Sequence, residues 1–128
     1  MSDKFTVEII SPDQTVSKQE TNEVIIPSFE GQMGILNDHI PLITFLRPGI
    51  ITIKAEGEKK YYVEEGTVEF SNNNLLILTS TARDLANLDN SKIKELLQKA
   101  EANLKTQSTD KEKYIASYKL ETLKEISQ

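Results

Sequence analysis

The chain has 128 residues, 38% of them apolar and 27% charged, with a net charge of −5. That length allows one globular core and a modest appendage, and the acidic balance argues against a nucleic-acid or anionic-membrane binder, which needs clustered Lys and Arg. The absence of cysteine excludes disulfides, thiolate metal sites and cysteine nucleophiles, and the single histidine, His39, nearly excludes a Ser-His-Asp triad or a multi-histidine zinc site.

The opening Met-Ser-Asp-Lys-Phe has neither a signal-peptide apolar stretch nor an Arg-rich transit character, and nowhere do about 18 apolar residues run together. The expectation is a mature cytoplasmic protein. Phe5, Val7 and Ile9 alternate with Thr6, Glu8 and Ile10, as a half-buried strand requires. Ser11-Pro12-Asp13 turns. Glu23 to Ile26 is an apolar run that should stop at Pro27. Met33 to Leu36 is another, ended by Asn37-Asp38. Leu42 to Leu46 leads into the turn Arg47-Pro48-Gly49. Ile50 to Ile53 runs out toward Gly57, and Tyr61 to Val63 returns. Glu65-Gly66 turns into Val68 to Phe70, and Asn72-Asn73-Asn74 turns into Leu75 to Leu78. About nine or ten short strands with such regular turns predict an antiparallel β-sandwich over residues 1–86.

The chemistry then changes. All five glycines and all four prolines precede residue 67, so turn punctuation ends there. Residues 1–88 hold seven basic and thirteen acidic side chains, a net of −6, whereas residues 89–128 hold eight and seven, a net of +1. Ile93, Leu96, Leu97, Ala100 and Leu104 make one helical stripe, with Asp89, Asn90 and Ser91 all suited to cap it. Thr109-Asp110-Lys111-Glu112 reads as a capping box in which Thr and Glu satisfy each other's free amides. Behind it a less regular stripe runs through Tyr114, Ile115, Tyr118, Leu120, Leu123 and Ile126. The prediction for 87–128 is an antiparallel two-helix hairpin. Helices this short are marginal alone, so the hairpin should need a docking surface and should be able to leave it.

No residue group carries a reaction. His39 lies in the turn Asp38-His39-Ile40-Pro41 with no second ligand type beside it. Gly31-Gln32-Met33-Gly34 matches the bare GxxG of RNA-binding loops, but its surroundings are strand-like and Glu30 precedes it. The pairs Glu64-Glu65 and Glu56-x-Glu58 flank turn glycines, where carboxylates are ordinarily solvated. No Walker loop or nucleophile–base pair occurs, so the chain reads as a binding or mechanical module.

The order Glu30-Gly31-Gln32-Met33-Gly34-Ile35, His39-Ile40-Pro41-Leu42, Pro48-Gly49 and Gly66-Thr67-Val68-Glu69 resembles the epsilon subunits of F-type ATP synthases, over essentially the whole chain. The resemblance implies a non-catalytic rotor subunit, with no cofactor, no nucleic acid and no direct membrane insertion. Its sandwich would bind the gamma subunit and rest on the c-subunit ring. It implies a gamma or ring interface at Glu30, Gly31, Gln32, Met33, Gly34, His39, Pro41 and Leu42. Family members often have an acidic residue where Gln32 stands. Gly31 and Gly34 would be turns that let the loop approach a neighbour closely. The hairpin would be a mobile regulatory element that inhibits ATP hydrolysis, touching the alpha and beta subunits, with Lys111, Lys113, Lys119 and Lys124 meeting acidic beta-subunit surface. A weak ATP site would fall at Asp89 and Lys92, but Lys stands where the nucleotide-binding members have Arg, and Ile93 where they have Ala. The implied location is the cytoplasmic face of a bacterial inner membrane, ahead of the stromal face of a thylakoid. The alternative from the residues alone is a free-standing sandwich adaptor with a regulatory tail.

Overall fold

The computed structural model describes residues 4–127. Its elements in chain order are β1 (Phe5–Ile10), β2 (Thr15–Thr21), β3 (Glu23–Ser28), β4 (Gly31–Leu36), β5 (Leu42–Leu46), β6 (Gly49–Lys54), β7 (Glu58–Val63), β8 (Gly66–Ser71), β9 (Asn74–Leu78) and β10 (Arg83–Asp84). A single 3-10 turn (Leu85–Asn87) follows, then α1 (Asn90–Thr106) and α2 (Asp110–Ile126). Two compact units result, one ending at Ala86 and the other starting at Asn87.

The first unit is a β-sandwich made by one sheet curling on itself. Its strands run in the order β10-β7-β6-β3-β5-β8-β9-β1-β2, with β4 attached to β3. Strict alternation builds the core. In β1 and β6 every second side chain is buried, and Ile9, Ile51, Ile53 and Ile77 are wholly enclosed. Each contributes about 1.5–3 kcal/mol on burial. Phe5 and Phe70 meet edge-to-face with ring centres 5.6 Å apart and close one end of that core.

Three expectations need correction. The sheet is mixed, because β1 lies parallel to β9, with Val7 opposite Leu75, while the other pairings are antiparallel. Strand β3 does not stop at Pro27 but runs through it to Ser28. Along one edge β3 pairs β6 up to Ile25 and then β5 at Ser28. Pro27 falls in the gap between those ladders, where a missing N–H costs nothing. Strand β2 went unread because Thr15-Val16-Ser17-Lys18-Gln19-Glu20-Thr21 is polar, as suits an edge strand.

The second unit is the helical hairpin. Asp89 is the residue that caps α1, its carboxylate accepting the Lys92 N–H at 2.8 Å. Thr109 caps α2 by accepting the Glu112 N–H at 3.1 Å. The box is only half of the expected kind, since the Glu112 carboxylate takes the Thr109 hydroxyl proton at 2.8 Å. In α1, Ile93, Leu96 and Ala100 are buried as the stripe predicts. In α2 the buried set is Ala116, Thr122 and Leu123, while Tyr114 is exposed with its ring edge-to-face on Tyr118.

Candidate protein-interaction surface

The β3–β4 hairpin makes a two-residue tip, Phe29 and Glu30, both exposed. Ser28 is fully buried and organises the tip. Its hydroxyl donates to the Gly31 carbonyl at 2.7 Å and accepts the Glu30 N–H at 3.2 Å. Gly31 has φ of +117°, a conformation that the turn needs and that side chains rarely adopt. Gly34 is not a turn. It lies inside β4, and a Cβ added there would meet nothing closer than Glu23 at 3.4 Å. The glycines that do permit close approach are Gly49, packed on Pro27, and Gly66, packed on the Leu78 carbonyl.

At the other end of β4 the chain turns through Asn37 to Pro41. His39 donates its N–H to the Leu36 carbonyl at 3.2 Å. Its ring stands edge-on to buried Phe70 at 5.9 Å between centres, and Nδ1 lies 2.7 Å from the Ile40 carbonyl. The imidazole is therefore half-buried packing material, with Ile40 beside it 74% exposed. The residues expected to form one interface thus divide. Glu30 and Gly31 sit at one end of β4, and His39, Pro41 and Leu42 follow its other end, roughly 17 Å away at about 3.3 Å per residue. Gln32 is exposed on the strand between them and Met33 is half-buried against the core.

Strand β5 connects the two ends with side chains that the sequence reading passed over. Its alternation leaves Ile43 75% and Phe45 59% exposed on one face. Phe29 joins them at the tip, its N–H donating to the Phe45 carbonyl at 3.2 Å. In register across β8 and β9 lie Thr67 and then Leu78, which is also exposed. An apolar strip so runs along β5 from Phe29 to the 37–41 loop. A shallow groove lined by Pro41, Leu42, Ile43, Glu69, Phe70 and Ser71 borders it. The signal was present: Leu42-Ile43-Thr44-Phe45-Leu46 has more apolar side chains than one buried face can take.

The charged groups beside the strip include Glu69, directly opposite Ile43 on β8, and Glu30 at the tip. Arg47 donates from Nε to the Ser28 carbonyl at 3.1 Å, bracing the tip. Deeper in the unit Tyr62 donates its hydroxyl to Glu64 at 2.9 Å, and burial together with that carboxylate holds the phenol protonated far above its usual range. Among the described residues no group of three or more His, Cys, Asp or Glu is placed to hold a metal, and no helix is long and apolar enough to cross a membrane.

In the hairpin, Asp89 is engaged in capping and Lys92 pairs with Glu95 at 3.5 Å. Glu95 also accepts from Lys99 at 3.1 Å, and that hydrogen bond, with the charge of Lys92, lowers its pKa. Lys111, Lys113 and Lys124 are exposed and Lys119 is half-buried. At 3.6 residues per turn Lys113 and Lys124 share a face, whereas Lys111 lies nearly opposite. The four lysines do not form one patch.

Comparison with known proteins is consistent across sequence and fold. Residues 4–84 match the family described as ATP synthase, Delta/Epsilon chain, beta-sandwich domain. The chain is 48% identical to the ATP synthase epsilon chain of Pelagibacter ubique, over 99% of this chain and all of that one. It is 36% identical to the chloroplastic ATP synthase epsilon chain of Pyropia yezoensis, covering 91% of this chain and 87% of the other. Among solved structures, a chain of the Euglena gracilis mitochondrial ATP synthase (OSCP/F1/c-ring) shares the fold with a TM-score of 0.80 at 21% identity, over 100% of this chain and 84% of that one. A chain of the Tetrahymena thermophila mitochondrial ATP synthase central stalk and c-ring does so with a TM-score of 0.69 at 16% identity, over 96% of each.

Proposed function

The chain belongs to the epsilon-chain family of the ATP synthase, and from that membership we propose that it is a non-catalytic central-stalk subunit that passes torque between a c-subunit ring and the catalytic head. Membership removes the ground for a free-standing adaptor. The observation that carries the reading is the apolar strip of Phe29, Phe45 and Ile43, because contiguous exposed apolar side chains of this size mark a protein contact. The separation along β4 divides the partners by chemistry. The apolar strip, with His39, Pro41 and Leu42 at its end, faces the gamma subunit. The polar end at Glu30, Gly31 and Gln32 faces the loops of the ring, with Met33 and Gly34 as backbone support.

The hairpin is the regulatory part. Lys113 and Lys124, on one exposed face, are the better-placed contacts to acidic surface on the beta subunits, with Lys111 and Lys119 outside that face. Asp89 caps helix α1 and Lys92 pairs with Glu95, so both side chains already have partners within the hairpin. The location is peripheral, at the cytoplasmic face of the membrane that holds the ring.

Copurification tests the reading. Tagged wild-type chain expressed with its own operon partners should bring down the gamma subunit. Ile43→Asp, which puts a charge into the strip at a site already solvent-exposed, should fold normally and lose gamma by about tenfold or more, the cost of desolvating a charge in an interface. Equal recovery of gamma would refute the assignment of the strip.

A further inference from the structure

Two turns 35 residues apart in sequence clasp one another beside the exposed Ile40. The Asp38 N–H donates to Asn73 Oδ1 at 2.6 Å, and Asn73 Nδ2 donates back to Asp38 Oδ1 at 3.0 Å. Only one orientation of the Asn73 carboxamide satisfies both bonds, so the pair is geometrically unambiguous. We infer that Asn73 is a positioning residue for the 37–41 loop, holding Ile40 in a fixed pose for the subunit that docks there. The inference rests on the assignment of this loop to the gamma contact.

The backbone supports it. Among the described residues, the non-glycine positions with positive φ are Asp38 at 62°, Asn72 at 51° and Asn73 at 56°. Asn72 and Asn73 are explained locally, since they form the two-residue turn between paired Ser71 and Asn74, a turn that requires left-handed residues at both places. Asp38 is in no such hairpin. It is the third residue of the four-residue turn that the His39 N–H closes on the Leu36 carbonyl, and the Asn73 side chain accepts its N–H from outside that turn. Asn73 is itself anchored, because its carbonyl accepts the N–H of Thr6, in β1, at 3.1 Å. The loop is thereby tied to the body of the sandwich at Asp38, while His39 is pinned by Phe70 and by Leu36. Ile40, 74% exposed, is left projecting from a loop that is already ordered. A partner that takes up such a side chain does not have to order the loop on binding, which favours affinity.

The test is a pair reversal measured on the full chain, titrated into ATP synthase depleted of its own epsilon chain. Asn73→Asp sets two carboxylates against each other and should weaken binding about tenfold. Asp38→Asn with Asn73→Asp exchanges amide and carboxylate, rebuilds both bonds and should recover affinity to within about threefold. Asn73→Gly keeps the left-handed turn while deleting the clasp, so it should weaken binding without lowering the melting temperature, and the Asp38 amide should exchange faster. Ile40→Asp is the control for the docking assignment. If Ile40→Asp weakens binding and Asn73→Gly binds as wild type, the positioning role is overturned and the docking loop stands. If Ile40→Asp binds as wild type, the docking assignment fails and takes the positioning role with it.

Discussion

Gly66 shows how narrowly single positions are set. It has φ of +154°, and a Cβ there would lie 2.6 Å from the Leu78 carbonyl oxygen and 3.0 Å from Leu46 Cδ1 and Thr79 Cβ. Backbone cannot yield as a flexible side chain can, so Gly66→Ala should destabilise the protein by about 2–4 kcal/mol in urea unfolding. Gly57→Ala, where nothing lies within 4 Å, should change it by less than about 0.5 kcal/mol. Equal effects would contradict the packing account. The same residue scale marks the limit of the sequence. The family resemblance implied turns at Gly31 and Gly34, and only Gly31 has the turn backbone. The close approaches at Gly49 and Gly66 depend on Pro27 and Leu78, distant partners that no local pattern names. The clasp of Asp38 and Asn73 was invisible for the same reason, since each reads alone as an ordinary turn residue.

At the scale of elements, the hairpin tests how much its caps matter. Thr109 accepts the Glu112 N–H and donates to its carboxylate, so Thr109→Ala should cost about 1 kcal/mol of hairpin stability, read as amide-exchange protection in α2. Unchanged protection would show that tertiary packing alone holds the helix. Glu95 supplies a pH prediction. Its pKa is lowered in the folded state by Lys99 and Lys92, so its favourable contribution is present above the ordinary carboxylate range and is lost as pH falls through the lowered value. In a carboxyl NMR titration Glu95 should have a midpoint below that of an unperturbed glutamate, and Lys99→Ala should raise it. A midpoint that Lys99→Ala leaves in place would remove the ion pair as its cause. Elements rich in β-branched residues were legible as strands, and the helices by their stripes. Edge strand β2 was not, because pairing on one side only asks for no apolar pattern. Strand β5 was found but its outward face was not. Alternation tells which side chains share a face but not that the solvent face is itself apolar for use, as Ile43 and Phe45 are.

The described residues form a sandwich of ten strands followed by a two-helix unit, and the division of charge along the sequence follows that order. Residues through Leu88 carry the net −6, and the lysine-bearing hairpin carries +1. Parallel pairing of β1 with β9 brings Val7 against Leu75 and joins strands from the two ends of the unit's sequence, a long-range register that no short window of sequence contains. The most direct test of the central claim is proton-driven ATP synthesis in vesicles that hold the ATP synthase stripped of this chain. Adding back the full chain should restore synthesis, and adding the Ile43→Asp chain at the same concentration should restore much less. Synthesis at the same rate with and without the chain would contradict its role as a coupling subunit of the central stalk.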